Sequence, residues 1–361
     1  MTFNSKTKER IDWIDYAKAL GVFLVIMGHT YKGYSFIGWI YSFHMPLFFF
    51  LSGITLKIEQ ISCKEFLKKR VKSLLIPYIL YSIVYIMLEV IKSGLNGNMD
   101  ETIKYFLRDA FWIRGQQATI GLWFLPLLFL VEVLLMVVYK GIRSKNLRAA
   151  SVLFITAMGF LYADKIGKAL PWGLDAALVV IFFLYAGYVF KQICLSSWMN
   201  GKQKDIFKYS IIGVGLLFAN IIFNNYNMKL IGDNADMYSL RYGNEILYIL
   251  SALAGIGFIS IVLGYILKNV KSRFWRFMGR NTLHIYCLHG LALMFVRKVL
   301  NLYVIKEEDS LRVIGIDIVL SVCTFLLCFV VICVQKSHCC NKKNRSRSQI
   351  FTSNPFIYYH Q

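Results

Sequence analysis

Long apolar runs, not alternating stripes, organise this chain from near its first residue to about residue 335. About 20 consecutive apolar residues are needed for a helix to cross the hydrocarbon core of a bilayer. The pattern yields ten such segments: 12–31, 36–56, 73–92, 119–139, 149–163, 174–191, 209–225, 245–267, 282–300 and 314–335. In lipid every backbone N–H and C=O must be satisfied within the segment, which predicts helices. The expected fold is an all-α integral membrane protein with about ten transmembrane helices. Residues 1–335 form its polytopic membrane domain. Residues 336–361 form a basic tail, rich in Lys, Arg, Ser and Asn, for which disorder is expected.

The polar stretches between the runs fall into two alternating sets. One set (1–11, 57–72, 140–148, 192–208, 268–281, 336–361) carries clustered lysine and arginine, as in Lys68-Lys69-Arg70 and Lys342-Lys343. The other is close to charge-balanced, as in Lys306-Glu307-Glu308-Asp309. Cytoplasmic loops carry the excess of positive charge, so both termini are predicted to be cytoplasmic. Within the opposite set, 93–118 has apolar residues at helical spacing (Ile103, Phe106, Leu107, Ala110, Phe111) and is expected to lie on the membrane surface.

Composition sharpens this picture. The chain is 57% hydrophobic and 17% charged, with mean hydropathy +0.53; a soluble domain carries about 25% charged residues. A net charge of +21 would point to nucleic acid in a soluble protein. Here the basic residues sit between apolar runs, where the partner is the anionic surface of a lipid bilayer. No nucleic-acid partner is expected. The eight cysteines are scattered without a disulfide framework or zinc spacing, and no metal is expected. The first apolar stretch holds Asp15, Lys18 and His29 and lacks a small-residue cleavage site, so it is read as a retained helix.

A charged residue in a membrane span costs about 2.5–3.5 kcal/mol on insertion scales, and such residues mark sites. Lys18 and His29 are eleven residues apart. At about 100° per residue they return to within about 20° of one direction, about 16 Å apart along the axis. One helix face thus joins a cation near one surface to an imidazole near the other, a geometry that suits a long ligand with an anionic head and a reactive far end. Asp15 is placed to meet Lys18. His44, early in the second segment, is a second imidazole on the adjacent antiparallel helix, and Gly28 leaves room for close approach beside His29. In the basic collar before the third segment, Arg70 is the best phosphate ligand, with Lys69 beside it, because a guanidinium grips phosphate in a bidentate fork. Glu132 is an intramembrane acid that must be paired or face a cavity. His284 and His289 lie about 140° apart around a helix and make no one-face metal pair.

These residues also carry a resemblance. Arg10-Ile11-Asp12-Trp13-Ile14-Asp15-Tyr16-Ala17-Lys18 through Gly28-His29, then Phe43-His44-Met45-Pro46 to Gly53, resemble the membrane acyltransferase-3 family. Arg70 with Leu75-Ile76-Pro77-Tyr78, Leu122-Trp123-Phe124-Leu125-Pro126, Phe183-Leu184-Tyr185-Ala186-Gly187-Tyr188 and Asn281 to His289 extend it over nearly the whole chain. The branch it most resembles is that of the fucose 4-O-acetylases and related sugar O-acetyltransferases. The resemblance implies acetyl-CoA or another acyl-CoA as donor, an extracytoplasmic glycan as acceptor, and Lys18 and His29 as the functional pair.

The expected activity is therefore O-acetyl transfer from cytoplasmic acetyl-CoA to a sugar of a surface or exported polysaccharide, such as capsule or O-antigen, at a bacterial cytoplasmic membrane. His29 would be general base or transient acyl carrier, His44 its support, and Lys18, Arg70 and Lys69 the CoA-phosphate ligands. Asp15, Trp123, Glu132 and His289 are assigned to substrate contact or support. The alternative is a glycan transporter or flippase without acyl transfer, which also accommodates ten spans and buried charge. Pro46, Pro77 and Pro126 have no counterparts in the later spans, which counts against the inverted repeats of transporters. Oligomeric state is not legible.

Overall fold

The computed structural model describes residues 11–30, 34–94, 121–193, 205–300 and 311–352, with positions 104 and 108 isolated between them. Its helices are α1 (Asp12–Thr30), α2 (Tyr34–Thr55), α3 (Cys63–Arg70), α4 (Ile76–Gly94), α5 (Phe124–Gly141), α6 (Lys145–Lys165), α7 (Leu174–Ile193), α8 (Ile206–Ile231), α9 (Glu245–Ile261), α10 (Arg273–Arg280), α11 (Thr282–Val299) and α12 (Leu311–Thr352). π-helical turns at Val71–Leu75 and Val262–Ile266 join α3 to α4 and extend α9. Among the described residues there is no strand, only one isolated antiparallel bridge, Asp236 with Arg241.

Every apolar segment read from the sequence coincides with one of these helices. Among the described residues, eight helices are long and apolar enough to cross a membrane, and this is a multi-pass membrane protein. The two predicted segments outside that set are α1 and α11, which carry Asp12, Asp15, Lys18 and His29, and His284, His289, Arg297 and Lys298.

Some boundaries differ from expectation. α6 begins at Lys145, earlier than predicted, because Ser144 caps it through the Leu147 N–H (3.4 Å) and Arg148 Nε donates to the Ile142 carbonyl (2.5 Å). Two segments predicted as basic loops contain short helices, α3 and α10. The expected tail meets a helix that continues to Thr352, while most of the predicted surface helix at 93–118 lies outside the described residues.

α2 is the central element: 78% of its most apolar stretch is buried within the protein, against 11% for α8, which turns its side chains outward. α2 crosses α7 backbone to backbone at two glycines. A Cβ on Gly53 would lie 2.8 Å from the Tyr188 nitrogen, and one on Gly187 would lie 2.7 Å from the Phe50 carbonyl carbon. The aromatic-and-glycine patterns around these positions are thus the two halves of one crossing, and α2 continues through Pro46 without ending.

α10 docks on the start of α1 just as closely, since a Cβ on Gly279 would lie 2.7 Å from the Asp15 Cα. Tyr16 ties the contact, accepting from Ser272 N (2.9 Å) and donating to Val270 O (3.2 Å). Two ion pairs complete it: Arg276 with Asp12, and Arg280 Nε with Asp15 Oδ2 at 3.4 Å.

Candidate functional site

α1 runs between two cavities and contributes one polar side chain to each. The first, about 220 Å³, is lined by Lys18, Arg280, Ser52 and Thr282 among apolar walls that include Phe48, Leu74 and Leu128. The second, about 150 Å³, is lined by His29, His44, Tyr41, Trp123, Asp236 and Tyr238, with further apolar contacts. Met45 and Tyr286 line both. The cavities are therefore neighbours stacked along the Lys18–His29 face, separated by a thioether and a phenol ring. Tyr286 is fixed in this partition: its hydroxyl donates to the Gly121 carbonyl and accepts from Phe124 N at 3.3 Å.

Two imidazoles, His29 and His44, line the second cavity, and a third, His289, packs against His29. His29 is open to the cavity, whereas His44 and His289 are buried, at 5% and 4% exposure. His29 is the most open of the three to a mobile reactant. The His289 ring lies 5.1 Å from the His29 ring, centroid to centroid. His289 Nδ1 is 2.5 Å from the Tyr286 carbonyl and His44 Nδ1 is 2.8 Å from the Ile40 carbonyl. A carbonyl oxygen only accepts, so each Nδ1 carries hydrogen and each neutral ring keeps its lone pair on Nε2. Both buried histidines are thus held in one tautomer and one orientation by their own helices.

His29 is steadied from behind by Arg297, which donates to its backbone carbonyl at 3.1 Å. Gly28 serves Tyr41: a Cβ there would lie 3.2 Å from the Tyr41 ring, which leans over α1 and packs 5.1 Å from His44.

The first cavity differs in chemistry. Its polar end holds Lys18 and Arg280; Arg280 is exposed apart from its contact with Asp15. Arg70 is not among its lining residues. Arg70 Nε lies 2.9 Å from the buried Glu132 Oε2, and Lys18 is near enough to act on the same carboxylate. Glu132 is thus the paired intramembrane acid that its position demands. Lys69 lies on the exposed side of α3, 2.7 Å from Glu65 one turn back.

Of the residues singled out from the sequence, the fold brings together His29, His44 and Trp123 around one cavity, with His289 packed against His29, and places Lys18 beside the other. Arg70 pairs with Glu132, and Asp15 with Arg280. Sequence reading missed Arg280, Tyr41, Tyr286, Asp236 and Tyr238. Among the described residues no three His, Cys, Asp or Glu side chains converge to hold a metal ion.

A helical membrane protein with a cation-ended apolar cavity adjoining a histidine chamber has the parts of a group-transfer enzyme. Residues 11–334 match the acyltransferase domain of the acyltransferase-3 family, and the chain belongs to that family; it is a membrane acyltransferase. No curated protein and no solved structure matches it significantly.

Proposed function

We propose that this protein transfers an acetyl group from acetyl-CoA to a hydroxyl of an exported or surface saccharide at a bacterial cytoplasmic membrane, with both termini and the basic segments on the cytoplasmic side. The observation that carries the reading is the pair of cavities meeting at Met45 and Tyr286 along one face of α1. A donor with phosphates at one end and a thioester at the other enters the first cavity by its thioester arm. Its anionic end meets Lys18 and Arg280, its apolar arm follows the Phe48–Leu128 wall, and its acyl carbon reaches the partition. The saccharide hydroxyl enters the second cavity from the opposite surface.

His29 takes the hydroxyl proton as the oxygen attacks the acyl carbonyl. The new C–O bond forms, the C–S bond breaks, and the leaving thiolate receives the proton back from the imidazolium. General-base help of this kind contributes about 10²–10⁴-fold. His289 and His44, each fixed through Nδ1, hold the chamber around His29 and leave its proton transfers unobstructed.

Sidedness tests the proposal. Sealed inside-out vesicles containing the full chain, given radiolabelled acetyl-CoA outside and saccharide in the lumen, should form O-acetyl saccharide. Right-side-out vesicles with the same additions should not. Movement of unmodified saccharide without acetyl transfer overturns the reading in favour of a transporter.

A further inference from the structure

One wall of the His29 chamber comes from the segment between α8 and α9. α8 ends at Gly232 in the left-handed conformation (φ +74°), and the chain folds back so that Asp236, Met237 and Tyr238 line the chamber. This segment is a built element. Asp236 and Arg241 exchange backbone hydrogen bonds (2.7 and 2.9 Å). Asn227, 1% exposed, clamps the base from inside, donating to Tyr242 O (2.8 Å) and accepting from Asn244 N (2.8 Å). Ala235, Met237, Leu240 and Tyr242 are buried. Gly243 (φ +70°) has no room for a side chain, since a Cβ there would lie 2.6 Å from Ile231.

Within this frame the Asp236 carboxylate is aimed by its own loop. Oδ1 accepts from Tyr238 N at 3.0 Å and Oδ2 accepts from the Ser239 hydroxyl. Each oxygen retains a lone pair, and the side chain lies within electrostatic reach of both His29 and Tyr41. The Tyr238 ring lies 5.5 Å from that of Trp123, tilted by 53°, so two aromatic surfaces stand beside the carboxylate. The nearby cations are already engaged: Arg241 pairs with Asp233, and Arg297 holds the His29 carbonyl.

We propose that Asp236, Trp123 and Tyr238 form the acceptor subsite of the His29 chamber, taking one uncharged saccharide ring. This rests on the transferase reading above and assigns the acceptor end of it. The apolar C–H face of a pyranose lies against an aromatic ring, while its hydroxyls donate to the carboxylate. A small number of placed polar groups among aromatic walls is how concave sites orient such ligands. A carboxylate accepts and cannot donate, so it favours hydroxyl-rich neutral rings over uronic acids. The ring held there presents a hydroxyl to His29 across the chamber.

The test uses the full chain in lipid nanodiscs, with methyl glucoside, galactoside, mannoside and fucoside as neutral probes and methyl glucuronide as the charged one. Saturation-transfer NMR with irradiation of aromatic protons reads binding, and radiolabelled acetyl-CoA reads transfer. At least one neutral glycoside should receive saturation while the glucuronide does not. Asp236→Asn, which keeps the shape, and Trp123→Ala should each lower that signal at least tenfold. Tyr238→Phe, which keeps the ring, should retain it.

Saturation in the parent that persists through Asp236→Asn and Trp123→Ala overturns the subsite, as does no saturation with any neutral probe. Acetyl transfer insensitive to those variants likewise overturns the subsite and leaves the transferase reading standing. Binding that depends on Asp236 and Trp123, with no acetyl transfer to the bound probe, overturns the transferase reading and keeps the subsite.

Discussion

The two cavities that meet at Met45 and Tyr286 are built on different principles. The Lys18 cavity is larger, walled by Phe48, Leu74, Leu125 and Leu128, with Lys18 and Arg280 as its cations. The His29 chamber is smaller and lined by imidazole, indole, phenol and carboxylate groups, several of them fixed by hydrogen bonds. An apolar slot with charge at its end selects for length and a terminal anion. A compact chamber of oriented polar groups selects for the geometry of a single reacting ring. In the proposed reaction, donor and acceptor recognition are divided between them and the chemistry falls at the partition.

The largest expected effect tests the chemical side of that division. His29→Gln should lower acetyl transfer by about 10²–10⁴-fold, the contribution of a positioned base, while acetyl-CoA still binds with parental affinity in equilibrium dialysis. Parental turnover by a well-folded His29→Gln protein would remove His29 from the reaction. Next in size is the support between the helices. Arg70→Ala strips the buried Glu132 of its hydrogen-bonded cation and leaves Lys18 alone to offset it; breaking such a buried pair costs up to about 3–5 kcal/mol. Thermal unfolding should report that loss, and the double variant Arg70→Ala/Glu132→Gln should recover most of it. If the single variant instead unfolds like the parent but loses acetyl-CoA affinity, Arg70 belongs to the donor cavity.

The partition supplies the third prediction. Met45→Trp fills the boundary between the cavities, so each reactant should still bind alone while turnover falls about 10²-fold, the scale of an ångström-level misplacement. Single-turnover kinetics with prebound acetyl-CoA separates this from weakened binding. A loss confined to donor KM would mean that Met45 belongs to the donor wall alone.

These comparisons also explain what the sequence made legible. The helices were visible because lipid enforces long apolar runs, and the Lys18–His29 face was visible because a helix has a fixed period. The crossing of Gly53 and Gly187 was visible only as two separate patterns, since nothing local says that they face each other. Arg280 was hidden among the lysines and arginines that cluster in alternate polar segments. Asp236 and Tyr238 lie in a segment of ordinary polar composition; their place in the chamber arises from how Asn227 and the Asp236–Arg241 bridge fold that segment over a cavity built by other helices. Arg70 was read as a phosphate ligand from its guanidinium and its place in a basic collar; its pairing with Glu132 on another helix was hidden, because tertiary pairing leaves no trace in local spacing.

The smallest effects probe the charged end of the donor cavity. Lys18→Ala and Arg280→Ala should each raise the acetyl-CoA KM about tenfold or more with little change in kcat. That is the scale of one hydrogen bond to a charged group, about 1.5–3 kcal/mol. Arg280→Ala also strips Asp15 of a partner, so Arg280→Ala with Asp15→Asn isolates the donor effect from the α1–α10 contact. Lys69→Ala is the counterpart on the same side of the protein. Lys69 is exposed and engaged with Glu65, and an exposed pair of that kind is worth about 0.2–1 kcal/mol. Its removal should leave donor KM, turnover and thermal stability within about twofold of the parent. A tenfold rise in donor KM for Lys69→Ala, matched by none for Lys18→Ala, would move the phosphate site out of the cavity and onto α3, and the two-cavity division of labour would have to be redrawn.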